Sequence, residues 1–148
     1  MPSTYLSLHY HLVFSTKNRE ANIHANWIVP LHDYLGGTIR GLGGFPEGVG
    51  GVADHVHMLV GLKATHCLAD VMRELKKSSS AWVHEKMGMR SFSWQEGYAA
   101  FTVSPDGRDG IKKYIATQAE HHRVKSFREE LVELLTSAGV KYDPKYLD

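Results

Sequence analysis

The stretch Val49-Gly-Gly-Val-Ala-Asp-His-Val-His-Met-Leu-Val-Gly-Leu62 decides the fold. Val49 to Ala53 and His55 to Leu62 read as two short strands around a tight turn near Asp54. Side chains alternate across a strand, so His55 and His57 share one face while Val56, Met58 and Val60 share the other.

Working outward, residues 5 to 14 (Tyr-Leu-Ser-Leu-His-Tyr-His-Leu-Val-Phe) are aromatic, β-branched and partly alternating, which predicts a first strand. Residues 26 to 40 carry Trp27, Ile28, Leu31, Tyr34, Leu35 and Ile39 at helical spacing, closed by glycines at 36, 37, 41, 43 and 44. Pro30 falls early, where a missing amide proton matters least. After the hairpin, Leu68 to Met87 is the longest helical pattern, ended by Gly88. Trp94 to Val103 reads as a strand, Ser104-Pro-Asp-Gly107 as a turn, and Asp109 to about His121 as a helix. Ser126-Phe-Arg-Glu129 is a capping box that opens a last helix through Thr136, stopped by Gly139. The order is βαββαβ plus two helices. It predicts an α+β fold, a ferredoxin-like or RNA-recognition-type antiparallel sheet with helices on one face and C-terminal helices added.

The bulk numbers narrow the class. At 148 residues the chain, 1–148, is expected to be one domain. No apolar run approaches a membrane span, and the start Met1-Pro2-Ser3-Thr4 lacks the charged and apolar parts of a signal peptide. One cysteine, Cys67, excludes an internal disulfide or a cysteine zinc cage and fits a reducing cytoplasm. A net charge of +1 means that any polyanion site must come from local clustering.

Two short motifs carry chemistry. On a strand, His55 and His57 face the same way and can grip one metal ion. On a helix, Tyr114 and Gln118 stack one turn apart and can serve one site. Two imidazoles, an amide and a phenol suit metal-assisted attack on a phosphodiester, the chemistry of DNA strand transfer. Such donors leave coordination positions open, which favours Mg2+ or Mn2+ over a closed zinc site. The histidine pair alone says little, because ten histidines in 148 residues give about 0.7 such pairs by chance. The chain has a second, His9-Tyr10-His11, and the plainer reading of either is a strand whose imidazoles bond to neighbours. Two basic clusters stand ready for phosphates: Arg73, Lys76, Lys77 and Ser80 on the long helix, and Lys112 and Lys113 beside Tyr114, with Arg123, Lys125 and Arg128 further on.

The motifs gain force from their order. Tyr10-His-Leu-Val-Phe14, Asp54-His-Val-His-Met-Leu-Val60, Leu75-Lys-Lys-Ser-Ser79 and Trp94-Gln-Glu-Gly-Tyr98 come first. Tyr114-Ile-Ala-Thr-Gln118, Glu120-His-His122, Ser126-Phe-Arg-Glu-Glu130 and Gly139-Val-Lys-Tyr-Asp143 follow. In that sequence they resemble the HUH single-tyrosine transposases of small single-strand insertion sequences, the IS200-like family. The resemblance implies that His55 and His57 are metal ligands, that Gln118 is a third, and that Tyr114 is the nucleophile. It leaves His9 and His11 with structural or secondary roles. It also implies single-stranded DNA with hairpin ends as substrate, a 5′-phosphotyrosine intermediate, and a homodimer whose sites are shared between subunits.

Three rivals have their own discriminators. A non-catalytic RRM-like nucleic-acid-binding module would bind without regard to metal or Tyr114. A host-recruited relative processing palindromic repeats would differ in genomic context. A generic metal-dependent phosphodiesterase would turn over without a covalent adduct. For the general acid, His121, His122 and a metal-bound water are equal choices.

Overall fold

The hairpin forms where the alternation places it, and its second strand becomes the centre of the sheet. The computed structural model describes residues 3–147; Met1, Pro2 and Asp148 lie outside the described residues, and with them part of the N-terminal segment read for a signal peptide. The elements run β1 (His9–Ser15), α1 (Ile28–Gly41), β2 (Phe45–Val52), β3 (His55–Gly61), α2 (Leu68–Lys86), β4 (Ala99–Thr102), α3 (Arg108–Ala116), α4 (Gln118–His121) and α5 (Phe127–Ser137). The four strands pair antiparallel in the order β2-β3-β1-β4, as expected of a ferredoxin-like sheet.

Both faces of this sheet are covered. On one, Leu12, Phe14, Val56, Met58 and Val60 pack with Leu31, Leu35 and Ile39 of α1 and Val71, Met72, Leu75 and Val83 of α2 to form the main apolar core. The other face presents His11, Val13, His55, His57 and Leu59, all buried. The C-terminal helices roof it, contributing the buried Ile115, Gln118, Phe127, Glu130 and Leu135. Every β3 residue is therefore buried, and the hairpin's alternation separates an apolar face from a polar one that is equally hidden.

Several boundaries differ from the sequence expectation. β1 begins at His9, not Tyr5, because residues 3–7 are exposed and lie outside the ladder. β2 starts at Phe45, four residues early; its glycines at 48, 50 and 51 and a bulge between Pro46 and Gly48 give a strand the local pattern of a loop. β4 is only Ala99–Thr102. Trp94 instead makes a lone bridge to Thr16, and the chain turns at Gly97 (φ 80°) before the strand begins. Gly36 and Gly37 lie inside α1, whose turn-out comes at Gly43 (φ 87°). The helix expected over 109–121 breaks at Thr117 (φ −110°, ψ 27°) into α3 and α4. Among the described residues no helix is long and apolar enough to cross a membrane.

Candidate metal and tyrosine site

β3 delivers His55 and His57 to the covered face with their side chains wholly buried. Each ring is held from behind. His55 Nδ1 bonds Asp54 Oδ1 at 2.7 Å, and His57 Nδ1 lies 2.7 Å from His11 Nε2. His11 thus serves behind His57, and His9 bonds Glu47 at the far end of β1. Partners at Nδ1 leave the two Nε2 atoms facing inward, the arrangement that orients imidazoles toward a metal.

α3 brings Tyr114 to these atoms. Ser104 caps the turn before it, accepting from the Gly107 amide, and Arg108 pairs with the half-buried Glu47 of β2. Gly50 lets the helix lie directly on β2: a Cβ there would stand 2.2 Å from the Ile115 carbonyl oxygen. Tyr114 is half-buried, its ring 5.7 Å from that of His57 and stacked at 4.5 Å on His121. The break at Thr117 then turns Gln118 inward. Its amide nitrogen donates to the Tyr114 carbonyl (3.3 Å), which directs its oxygen at His55 Nε2 (3.1 Å).

The third contributor is α5. Its capping box forms as read, with Ser126 and Glu129 bonded reciprocally. Phe127 stacks on His55 with ring centres 4.4 Å apart. Glu130, 2 % exposed, places Oε1 3.0 Å from His57 Nε2 and 3.4 Å from His55 Nε2, and its Oε2 accepts the Tyr114 hydroxyl. His122 Nε2 also lies 3.0 Å from Glu130 Oε1 and 3.1 Å from the Gln118 oxygen.

The electrostatics follow from burial opposed by pairing. Burial would raise the Glu130 carboxyl, but hydrogen bonds from His55 and His57 hold it far below the usual carboxylate range. Burial would likewise lower His55, yet Asp54 and Glu130 raise it to about 9. For His57 burial prevails and lowers the pKa, and His11 falls to about 3 by burial and the neighbouring His57. The Tyr114 phenol is pushed above its ordinary value by burial and by Glu130.

These residues suit a divalent ion. Donor atoms of His55, His57, His122 and Glu130 all lie within 4.8 Å of one another, and all but His122 are buried. His55, His57, Tyr114 and Gln118, which the sequence motifs single out, come together in the structure. Those motifs give Glu130 no role and offer His122 only as an acid. A signal for Glu130 is nevertheless present: it lies on the apolar stripe of α5, between Phe127 and Leu131, Leu134 and Leu135, where a carboxylate is out of place without a partner.

The basic residues are dispersed. α2 packs on the opposite face of the sheet, so Arg73, Lys76, Lys77 and Ser80 are separated from Tyr114 by the sheet itself. Lys76 donates to the carbonyls of Gln95 (2.8 Å) and Gly97 and spans the loop before β4, while Arg73 pairs with Asp70 on the surface. Lys112 is half-buried and Lys113 exposed, both on α3 beside Tyr114.

The family model described as "Transposase IS200 like" matches residues 4–118, and the chain belongs to that family. Among solved structures, a proposed transposase from Deinococcus radiodurans R1 is similar at 25% identity and a TM-score of 0.64, over 80% of this chain and 95% of that one. A REP-associated tyrosine transposase bound to a REP hairpin shares the fold at 14% identity and a TM-score of 0.60, over 99% and 89% respectively. No curated protein sequence matches the chain significantly.

Proposed function

We propose that residues 1–148 act as a single transposase domain that cleaves and rejoins single-stranded DNA at element ends, in the cytoplasm, through a 5′-phosphotyrosine on Tyr114. The observation that carries this reading is that the Tyr114 hydroxyl and the Nε2 atoms of His55 and His57 address one carboxylate, Glu130, within one chain. His55, His57 and Gln118 would hold Mg2+ or Mn2+. The ion, when bound, neutralises phosphate oxygens and polarises the phosphorus.

The chain's own groups do the rest. Attack by Tyr114 Oη forms the tyrosine–phosphorus bond and breaks the bond to the 3′-oxygen, which leaves as a hydroxyl. An incoming 3′-hydroxyl reverses the step, so strands rejoin without ATP. Burial and Glu130 raise the Tyr114 phenol above its ordinary pKa, so its proton must pass to an acceptor as Oη attacks. The nearest acceptor for the departing proton is Glu130 Oε2. Lys112 and Lys113 flank the nucleophile and would hold the DNA backbone; Arg73, Lys76, Lys77 and Ser80 would contact DNA only if it wraps to the α2 face. A hairpin is the substrate to try first, since the REP-associated neighbour is bound to one.

The test is a denaturing gel of this protein with Mn2+ and a labelled hairpin from the DNA flanking its own gene. A covalent band lost in Tyr114→Phe and in His57→Ala is the expected result. Tight binding with no adduct in any lane would return the chain to the rival reading of a binding module. The family resemblance implies a homodimer with shared sites, whereas here Tyr114 meets the histidines of its own chain. Mixing the two variants decides between them, because only exchange between subunits restores the band.

A further inference from the structure

Three imidazoles converge at the site, and two of them have their proton position dictated. His55 Nδ1 faces the Asp54 carboxylate at 2.7 Å and His122 Nδ1 faces the Lys125 carbonyl at 2.8 Å. Both partners can only accept, so both rings carry hydrogen at Nδ1 and, when neutral, a lone pair at Nε2. Those lone pairs point at two further acceptors. The Gln118 oxygen is 3.1 Å from each, and Glu130 Oε1 is 3.4 Å from His55 and 3.0 Å from His122. His57 Nε2 adds a third approach to the same Glu130 oxygen at 3.0 Å.

Acceptors crowd together in a buried site only when positive charge sits among them, supplied here by protons on the imidazole Nε2 atoms or, in their place, by a metal ion. Their spacing is also that of neighbouring ligands on one ion: with bonds of about 2.1 Å, adjacent donor atoms fall roughly 3.0–3.4 Å apart. His122 and Glu130 both lie beyond the residues that the family model matches.

We propose that Glu130 and His122 are ligands of the metal centre, beside His55, His57 and Gln118, and that the second oxygen of Glu130 ties the Tyr114 hydroxyl to it. The inference rests on the reading of the site as a metal-dependent one. It makes α5 part of the centre, so that the helix must be docked for the ion to bind fully. A set of three imidazoles, a carboxylate and an amide oxygen favours Mn2+ over Mg2+, because imidazole-rich sites select the softer ion. Through one carboxylate, occupancy of the centre and placement of the nucleophile become linked.

The experiment is a Mn2+ titration of the full, chelator-stripped protein, read by the free-Mn2+ spin-resonance signal. Wild type is compared with His57→Ala, Glu130→Gln, His122→Asn and Tyr114→Phe, and circular dichroism establishes that each is folded. His57→Ala should abolish binding. Glu130→Gln and His122→Asn should each weaken it at least about 10-fold, the scale seen when the support of a metal ligand is lost, and by more than Tyr114→Phe, which removes only the hydroxyl tied to Glu130 and no ligand. Pulsed measurements on bound Mn2+ should count three coupled imidazoles in wild type and two in His122→Asn, a change that a purely structural role would not produce. If His57→Ala loses the ion while Glu130→Gln and His122→Asn bind like wild type, the proposal falls and the metal-site reading survives. If wild type takes up no Mn2+, both fall. Should Glu130→Gln or His122→Asn prove unfolded, a Mn2+-soaked wild-type crystal decides: an anomalous peak within bonding distance of both side chains supports the proposal, and one bonded to His55 and His57 alone overturns it.

Discussion

Gly50→Ala tests how Tyr114 reaches the histidines. The added Cβ would lie 2.2 Å from the Ile115 carbonyl oxygen and 2.9 Å from its Cγ2, and the oxygen is backbone that cannot rotate away. α3 and β2 must therefore part, by about 1 Å, and Tyr114 is the residue next to Ile115. Overpacking of this kind costs about 1–3 kcal/mol of stability. A misplacement of about 1 Å at a reacting group costs on the order of 10²-fold in rate. Gly48→Ala is the matched control on the same strand: its nearest neighbours, at 3.9 Å and 4.0 Å, are at ordinary van der Waals distance. Single-turnover formation of the covalent adduct, alongside urea denaturation, should show Gly50→Ala impaired in both and Gly48→Ala close to wild type. Equal adduct rates and equal midpoints for the two variants would refute the idea that the close approach of α3 to β2 sets the nucleophile's position.

Four other outcomes follow from the structure. In metal-free protein, His55 has a folded pKa of about 9 against an unfolded value near 6.5, so its contribution is full below 6.5 and is lost as pH rises through 9; denaturation midpoints should fall across that window, and a flat profile would contradict the pairing with Asp54 and Glu130. His11, lowered to about 3, acts oppositely and should cost stability as pH drops from about 6.5 toward 3, an acid limb that His11→Asn should flatten. Asp54→Asn removes the carboxylate behind His55 and should weaken Mn2+ binding by about 10–100-fold in calorimetry, with little change in fold. Replacing Lys112 and Lys113 by Gln should lower the slope of log affinity against log salt by about 0.7 for each phosphate no longer neutralised, whereas Lys76→Gln, which breaks ties to Gln95 and Gly97, should lower the melting temperature and leave that slope unchanged.

The legible parts of this chain are those with local causes. Alternation in Val49–Leu62 is enough to pair β2 with β3 and to put His55 and His57 on one face. The capping box at Ser126 is readable because both halves of it lie within four residues. The start of β2 is not, because Pro46, Gly48 and the bulge between them have the local pattern of a loop, and only pairing with β3 makes them a strand.

By itself, then, the sequence determined the order of elements, the histidine face of β3 and the pairing of Tyr114 with Gln118, because periods of two and of about four residues are properties of the backbone. Only the tertiary structure decided that both faces of the sheet are covered, that α2's basic stripe lies away from the tyrosine, and that Glu130 and His122 join the histidines. Those outcomes depend on docking the C-terminal helices onto the sheet. Glu130 lies 73 residues from His57, and docking of α5, not spacing, turns a glutamate on that helix's apolar stripe into the charge around which the site is built.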